Sequence, residues 1–167
     1  MKPLRLAVDT NILLDLAVEV EDVLDALGVI ENRLPKADWL VPPSVLDELA
    51  YLSDSGETLR LRQSARRAVQ QLRTDRRFRP ILELPVPAQE AEELAGEFRR
   101  KELLPAEEVH DSFILAETVL LECGILLTSD EHLRAIDHQR LIWVLTPHDL
   151  APPVAATPRE IVRKFFR

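Results

Sequence analysis

The sequence predicts an α/β fold, a parallel sheet with helices on both faces, and three observations carry that reading. Short apolar runs alternate with longer amphipathic segments along the chain. Strands separated by helices pair in parallel through crossover connections. No linker, repeat or low-complexity stretch divides the 167 residues, a length that suits one domain.

Taken in order, residues 4–9 (LRLAVD), 38–42 (DWLVP), 79–84 (RPILEL), 124–130 (GILLTSD) and 140–145 (RLIWVL) read as strands. RPILEL is also compatible with an extended connection. Pro42-Pro43 and Pro85 to Pro87 mark helix starts or turns, because Pro fits the first helical turn and no later one. In the helix beginning PSVLDELAYL, Val45, Leu46, Leu49 and Leu52 form the apolar stripe. Between 60 and 79 an arginine-rich segment carries a second stripe, Leu61, Ala65, Ala68, Val69 and Leu72. The segment EEVHDSFILAETVLLECG is apolar nearly all round from Phe113 to Leu121, which marks a helix buried on several sides. Residues 1–150 are expected to form the single domain. Of the 151–167 tail, 151–158 is expected to be loosely attached and 159–167 to add a short helix. Trp39, Trp143, Phe78, Phe98 and Phe113 are too scattered for a stacking platform and read mostly as core.

A hydrophobic fraction of 46% supplies a sizeable core and excludes a disordered chain. A lone cysteine, Cys123, cannot form an internal bridge, and the apolar run near the N-terminus is too short for a signal peptide or membrane span. A cytoplasmic protein without membrane contact is expected. The net charge of −8 opposes a globally basic nucleic-acid coat, although a local patch can still be basic.

In a parallel sheet the ligand site lies beyond the carboxyl ends of the strands, and two of the expected strands end in an acid, Asp9 in VDTN and Asp130 in LTSD. Each, taken alone, is explained by capping of the next helix. Two further acids lie in helices. Glu48 borders the stripe of its helix, about 100° from Asp47, which faces water; on its own it reads equally as a boundary carboxylate reaching solvent. Asp111 stands in a first turn, where the helix dipole favours a carboxylate. His110 beside it reads as a surface or capping residue before a metal ligand. Together the four acids can converge on one edge of the sheet. Carboxylates about 4 Å apart repel by roughly 4 kcal/mol per pair at an effective dielectric of 20, so such a cluster calls for a cation. Hard oxygen donors select Mg²⁺ or Mn²⁺, and the absence of a Cys/His cluster argues against zinc.

With VDTN, PPSVLDELA, HDSFILAE and LLTSDEHL in order, the chain resembles the PIN-domain nucleases, particularly the VapC-like toxins and their stand-alone bacterial relatives. The resemblance implies a Rossmann-like sandwich and a metal-dependent endoribonuclease. Asp9, Glu48, Asp111 and Asp130 would be its catalytic and metal-site residues, with Asn11 and Thr128 as supporting polar groups. It also implies a homodimer and, for a toxin, an antitoxin partner. Chain length and the arginine-rich helix depart from the compact toxins. A phosphatase of the haloacid-dehalogenase type would need a second Asp where Asn11 stands. The alternative of a different class is a non-catalytic PIN-fold binding module.

Between Arg60 and Arg79 there are eight arginines, no lysine and one acid, Asp75. A solvated face explains such a helix, but bidentate phosphate contact also favours arginine. Arg62, Arg66 and Arg67 are therefore candidate RNA contacts, and an acidic antitoxin segment is a third use of the same face.

Overall fold

The structure, a computed structural model, describes residues 2–166. Along the chain run β1 (Arg5–Val8), α1 (Thr10–Ala17), α2 (Glu21–Arg33), β2 (Asp38–Val41), α3 (Pro43–Ser55), α4 (Leu59–Thr74) and β3 (Phe78–Pro80). There follow α5 (Ala88–Arg100), α6 (Val109–Leu120), β4 (Ile125–Leu127), α7 (Glu131–Arg134), α8 (His138–Leu145), β5 (Val154–Ala156) and α9 (Pro158–Phe165). The strands form one sheet in the order β3-β2-β1-β4-β5, every pair parallel. The α/β class is as the sequence predicts.

β1 lies at the centre, and Leu6, Ala7 and Val8 are fully buried. A strand covered on both faces reads as a continuous apolar run, which is why LAV shows no alternation. β3 is an edge strand, and it accommodates Pro80 because its outer side needs no donor. Beyond Pro80, the RPILEL segment is connection. Trp39 on β2 packs edge-on against Phe78 on β3, with ring centroids 6.0 Å apart, and Phe98 is fully buried.

Residues 140–145 are not a strand. Asp137 caps α8 by accepting the N–H of Arg140 at 3.0 Å, and Leu141, Val144 and Leu145 point inward while Trp143 is 66% exposed. A short apolar run has no period of its own, and here the cap and the i, i+3, i+4 spacing decide for helix. The fifth strand comes instead from residues expected to be loose: Val154, Ala155 and Ala156 pair with Ile125, Leu126 and Leu127. α9 then returns to pack on α2, burying Ile161. The terminal helix expected over 159–167 therefore lies at Pro158–Phe165, and Arg167 falls outside the described residues. Among the described residues no helix is long and apolar enough to cross a membrane.

Strand order makes the site. The chain leaves β1 toward β2 on one side, and β4 pairs with β1 on the other. A crevice opens at such a reversal, beyond the carboxyl ends of the two strands.

Candidate active site

Asp9 follows β1 and is 3% exposed. One oxygen caps α1, Oδ1 accepting the Thr10 N–H at 2.7 Å. The other, Oδ2, accepts the hydroxyl of buried Thr128 at 2.6 Å. Thr128 follows β4, and its hydroxyl oxygen also accepts the Asp130 N–H at 3.0 Å. Asp130 in turn caps α7 through Oδ1, which accepts from Leu133 N at 3.0 Å. Capping and convergence on one crevice are thus both true of these two aspartates.

Glu48 reaches the crevice from α3. Its Oε2 accepts the hydroxyl of Thr10 and stands 2.7 Å from His110 Nε2. Burial raises the Glu48 pKa, but the bonds from His110 and Thr10 outweigh it and hold the group below the ordinary value. The bond to Glu48 raises the His110 pKa against the opposing effect of burial. Asp47, one residue earlier, faces solvent, as the helical projection requires. Asp111 opens α6 beside His110 and is half-buried. Burial, followed by the charge of Asp130, the neighbouring Glu108 and Asp9, pushes its carboxyl up to about 8. Asp9 is raised too, by burial and then by the charges of Glu48 and Asp130, although the bonds from Thr128 and Thr10 oppose the rise.

Asp9, Asp111 and Asp130 therefore feel one another electrostatically, and Asp9 likewise feels Glu48. Asn11 does not join them. It is exposed, and among the described residues its side chain makes no hydrogen bond; the hydroxyls of Thr10 and Thr128 are the ones bonded to Glu48 and Asp9. Among the described residues no three His, Cys, Asp or Glu side chains stand close enough together to hold a metal ion. The donor chemistry nevertheless fits a hard divalent cation. All four candidates offer carboxylate oxygen, the donor type that such a cation takes.

The sequence reading passes over two side chains, Glu108 and Glu117, and does not predict the partner of a third. His110 lies at the surface, as expected, and is bonded to Glu48. Glu108 borders Asp111 and stands 3.4 Å from His132 Nε2. Glu117, on the buried helix α6, is 3% exposed and accepts from Ser44 N at 2.7 Å and from the Ser44 hydroxyl. An acid inside the apolar run from Phe113 to Leu121 was the available signal for Glu117, since a buried carboxylate requires a partner.

The arginines of α4 turn inward as well as outward. Arg62 Nη1 donates to Gly56 O at 2.7 Å, Arg66 Nε to Ser53 O at 3.0 Å, and Arg67 Nη1 to Ala17 O at 3.3 Å. All three acceptors lie at the carboxyl ends of α3 and α1, where carbonyls lack helical partners.

A model of the PIN domain matches residues 6–139, and the chain belongs to the PIN domain family. Among solved structures it is similar to VapBC2 from Rickettsia felis bound to a DNA fragment from their promoter, with a TM-score of 0.57 and 18% identity over 80% of this chain and 93% of the other. At that identity the likeness concerns the fold. No curated protein matches the sequence.

Proposed function

We propose that the chain is a metal-dependent endoribonuclease, with Asp9, Glu48, Asp111 and Asp130 as the metal-holding acids. The observation that carries this reading is the linkage of acids from separate elements at the ends of β1 and β4: Thr128 bonds Asp9 and Asp130, and Thr10 and His110, neighbours of Asp9 and Asp111, both bond Glu48. A bound Mg²⁺ or Mn²⁺ would acidify a water and neutralise the phosphodiester under attack. The protein's own groups do the rest. Thr10 N–H and Thr128 hold the Asp9 carboxylate in one orientation. Thr10 and His110 hold Glu48 through Oε2, leaving Oε1 without a bond among the described residues. Asp111 and Asp130 would complete the oxygen set.

RNA phosphates would be gathered by the α4 arginines, whose remaining guanidinium donors stay available after the bonds to Gly56, Ser53 and Ala17. Membership of the PIN family and the VapC resemblance further favour work as the toxin of a toxin–antitoxin pair, as a homodimer with an antitoxin partner. Incubation of the purified protein with labelled RNA in Mn²⁺ or in EDTA tests the catalytic reading directly. Cleavage in Mn²⁺ alone is expected, whereas binding without cleavage under both conditions assigns the chain to the non-catalytic class.

A further inference from the structure

α3 begins at Pro43, and its capping position is Pro42, which has no side-chain bond to offer. Pro43 has no N–H. The N–H groups of Val45 and Leu46 both reach Pro42 O, at 3.1 and 3.2 Å. Ser44 N–H is the donor left over, and the carboxylate that accepts it comes from another helix, Glu117 on α6. Glu117 also takes the Ser44 hydroxyl, so both its oxygens are committed to one residue. Burial raises its pKa and the Ser44 bonds counter that rise, and its place at a helix N-terminus favours the ionised form.

Ser44 and Glu48 are four residues apart on α3 and share a face. Glu117 and His110 both lie on α6, and His110 is bonded to Glu48. The two helices are therefore tied at two rungs, Ser44 to Glu117 and Glu48 to His110. The rungs run in opposite directions along the helices. The outer rung touches none of the four proposed metal-holding acids, yet it fixes the turn from which Glu48 projects.

We infer that Glu117 is a positioning residue of the proposed metal centre: by capping α3 from α6 it sets the depth and rotation at which Glu48 enters the crevice. This rests on the reading of Glu48 as a metal-holding acid. Glu117→Gln retains an acceptor for Ser44 N–H and a polar partner for the hydroxyl, whereas Glu117→Ala retains neither.

The test uses Glu117→Ala, Glu117→Gln and Ser44→Ala, with Leu141→Ala as a destabilised variant on α8, outside the α3–α6 contact. Mn²⁺ affinity is read without turnover, from the metal dependence of the thermal midpoint, and kcat and KM for RNA are measured at saturating Mn²⁺. In Glu117→Ala the Mn²⁺ concentration for half-effect should rise about tenfold and kcat should fall by a similar factor, as is typical when a supporting partner of a ligand is lost, while KM for RNA stays level. Glu117→Gln should restore most of both, Ser44→Ala should fall between, and Leu141→Ala should melt lower with an unchanged Mn²⁺ midpoint. If Glu117→Ala does not fold, a wild-type Mn²⁺ midpoint in Ser44→Ala overturns the inference. An equal shift of the midpoint in Leu141→Ala also overturns it, reducing the effect to general stability. A wild-type protein that neither responds to Mn²⁺ nor cleaves RNA removes the metal-centre reading and this inference together, whereas a responsive wild type with an unaffected Glu117→Ala removes the positioning role alone.

Discussion

Thr128 joins two aspartates with one hydroxyl, donating to Asp9 Oδ2 at 2.6 Å and accepting from Asp130 N at 3.0 Å. Thr128→Val keeps the volume and removes both bonds, leaving a buried carboxylate oxygen and an N–H unmet. The expected loss is about 1–3 kcal/mol, measured by denaturant unfolding in EDTA. Thr128→Ser should recover most of it. An unchanged midpoint in the valine variant would show that the bridge contributes nothing to stability.

Asp9→Asn should lose Mn²⁺-dependent RNA cleavage without losing the fold. It removes one charge from a group already raised by burial and by Glu48 and Asp130, so thermal stability in EDTA should hold level or rise. Wild-type cleavage by the folded variant would rule out Asp9 as a metal-holding acid.

Adjacent acids on α3 should behave differently. Glu48 is tied to Thr10 and His110, while Asp47 faces solvent. Glu48→Gln should abolish cleavage and Asp47→Ala should leave it near wild type, with folding checked by circular dichroism. Equal losses would contradict the assignment of Glu48 alone to the crevice.

Metal-free stability should fall as pH rises from about 4 to 8, with Asp111 a main cause. Its carboxyl ionises near 3.8 in the unfolded chain and about 8 in the folded protein, so within that window the folded state holds a proton that the unfolded chain has released. The raised His110 adds in the same direction: its contribution is complete below 6.5 and is lost as pH rises through the folded value. Melting curves in EDTA across this range should show the slope, and Asp111→Asn should flatten it. Mn²⁺ should stabilise the wild type more at pH 8 than at pH 6, since at the lower pH it must displace the proton. A flat profile for the wild type would contradict the raised Asp111.

Changing Arg62, Arg66 and Arg67 together to Gln should reduce the slope of log affinity for single-stranded RNA against log salt by about 2, if each arginine meets one phosphate. The same change should lower the melting temperature, because three bonds to helix-end carbonyls are weakened. Loss of stability with an unchanged salt slope would confine these arginines to holding α4 against α3 and α1.

Much of the fold could be read from the chain because its strands are short apolar runs bounded by Pro or Asp: β1, β2 and β4 lie where the pattern puts them, and β3 shares only Arg79 and Pro80 with its expected segment. RLIWVL differs from its expected strand because a short apolar run fits strand and helix alike; Asp137, six residues before Trp143, is the better guide. VAA at 154–156 was missed for the opposite reason. Flanked by prolines and alanines, it resembles a linker, and only pairing with β4 makes it a strand. The site divides in the same way. Acids at strand ends and helix starts were legible from position, but the His110–Glu48 and Glu117–Ser44 pairs depend on how α3 and α6 cross, which no local pattern encodes. Asn11 was favoured by its place in VDTN, yet α1 turns its side chain to solvent.

The strand order also sets the timetable of folding. β1 must wait for a partner on its β4 side, and the bond between Thr128 and Asp9 closes a separation of 119 residues. During synthesis, β1 and β2 can pair early, but the β4 side of the crevice is missing until most of the chain has emerged. Long-range parallel pairing is slow to form. A nascent or partly refolded molecule therefore carries Asp9 and Glu48 without Asp111 and Asp130, and the proposed activity would arrive only with the last stage of folding.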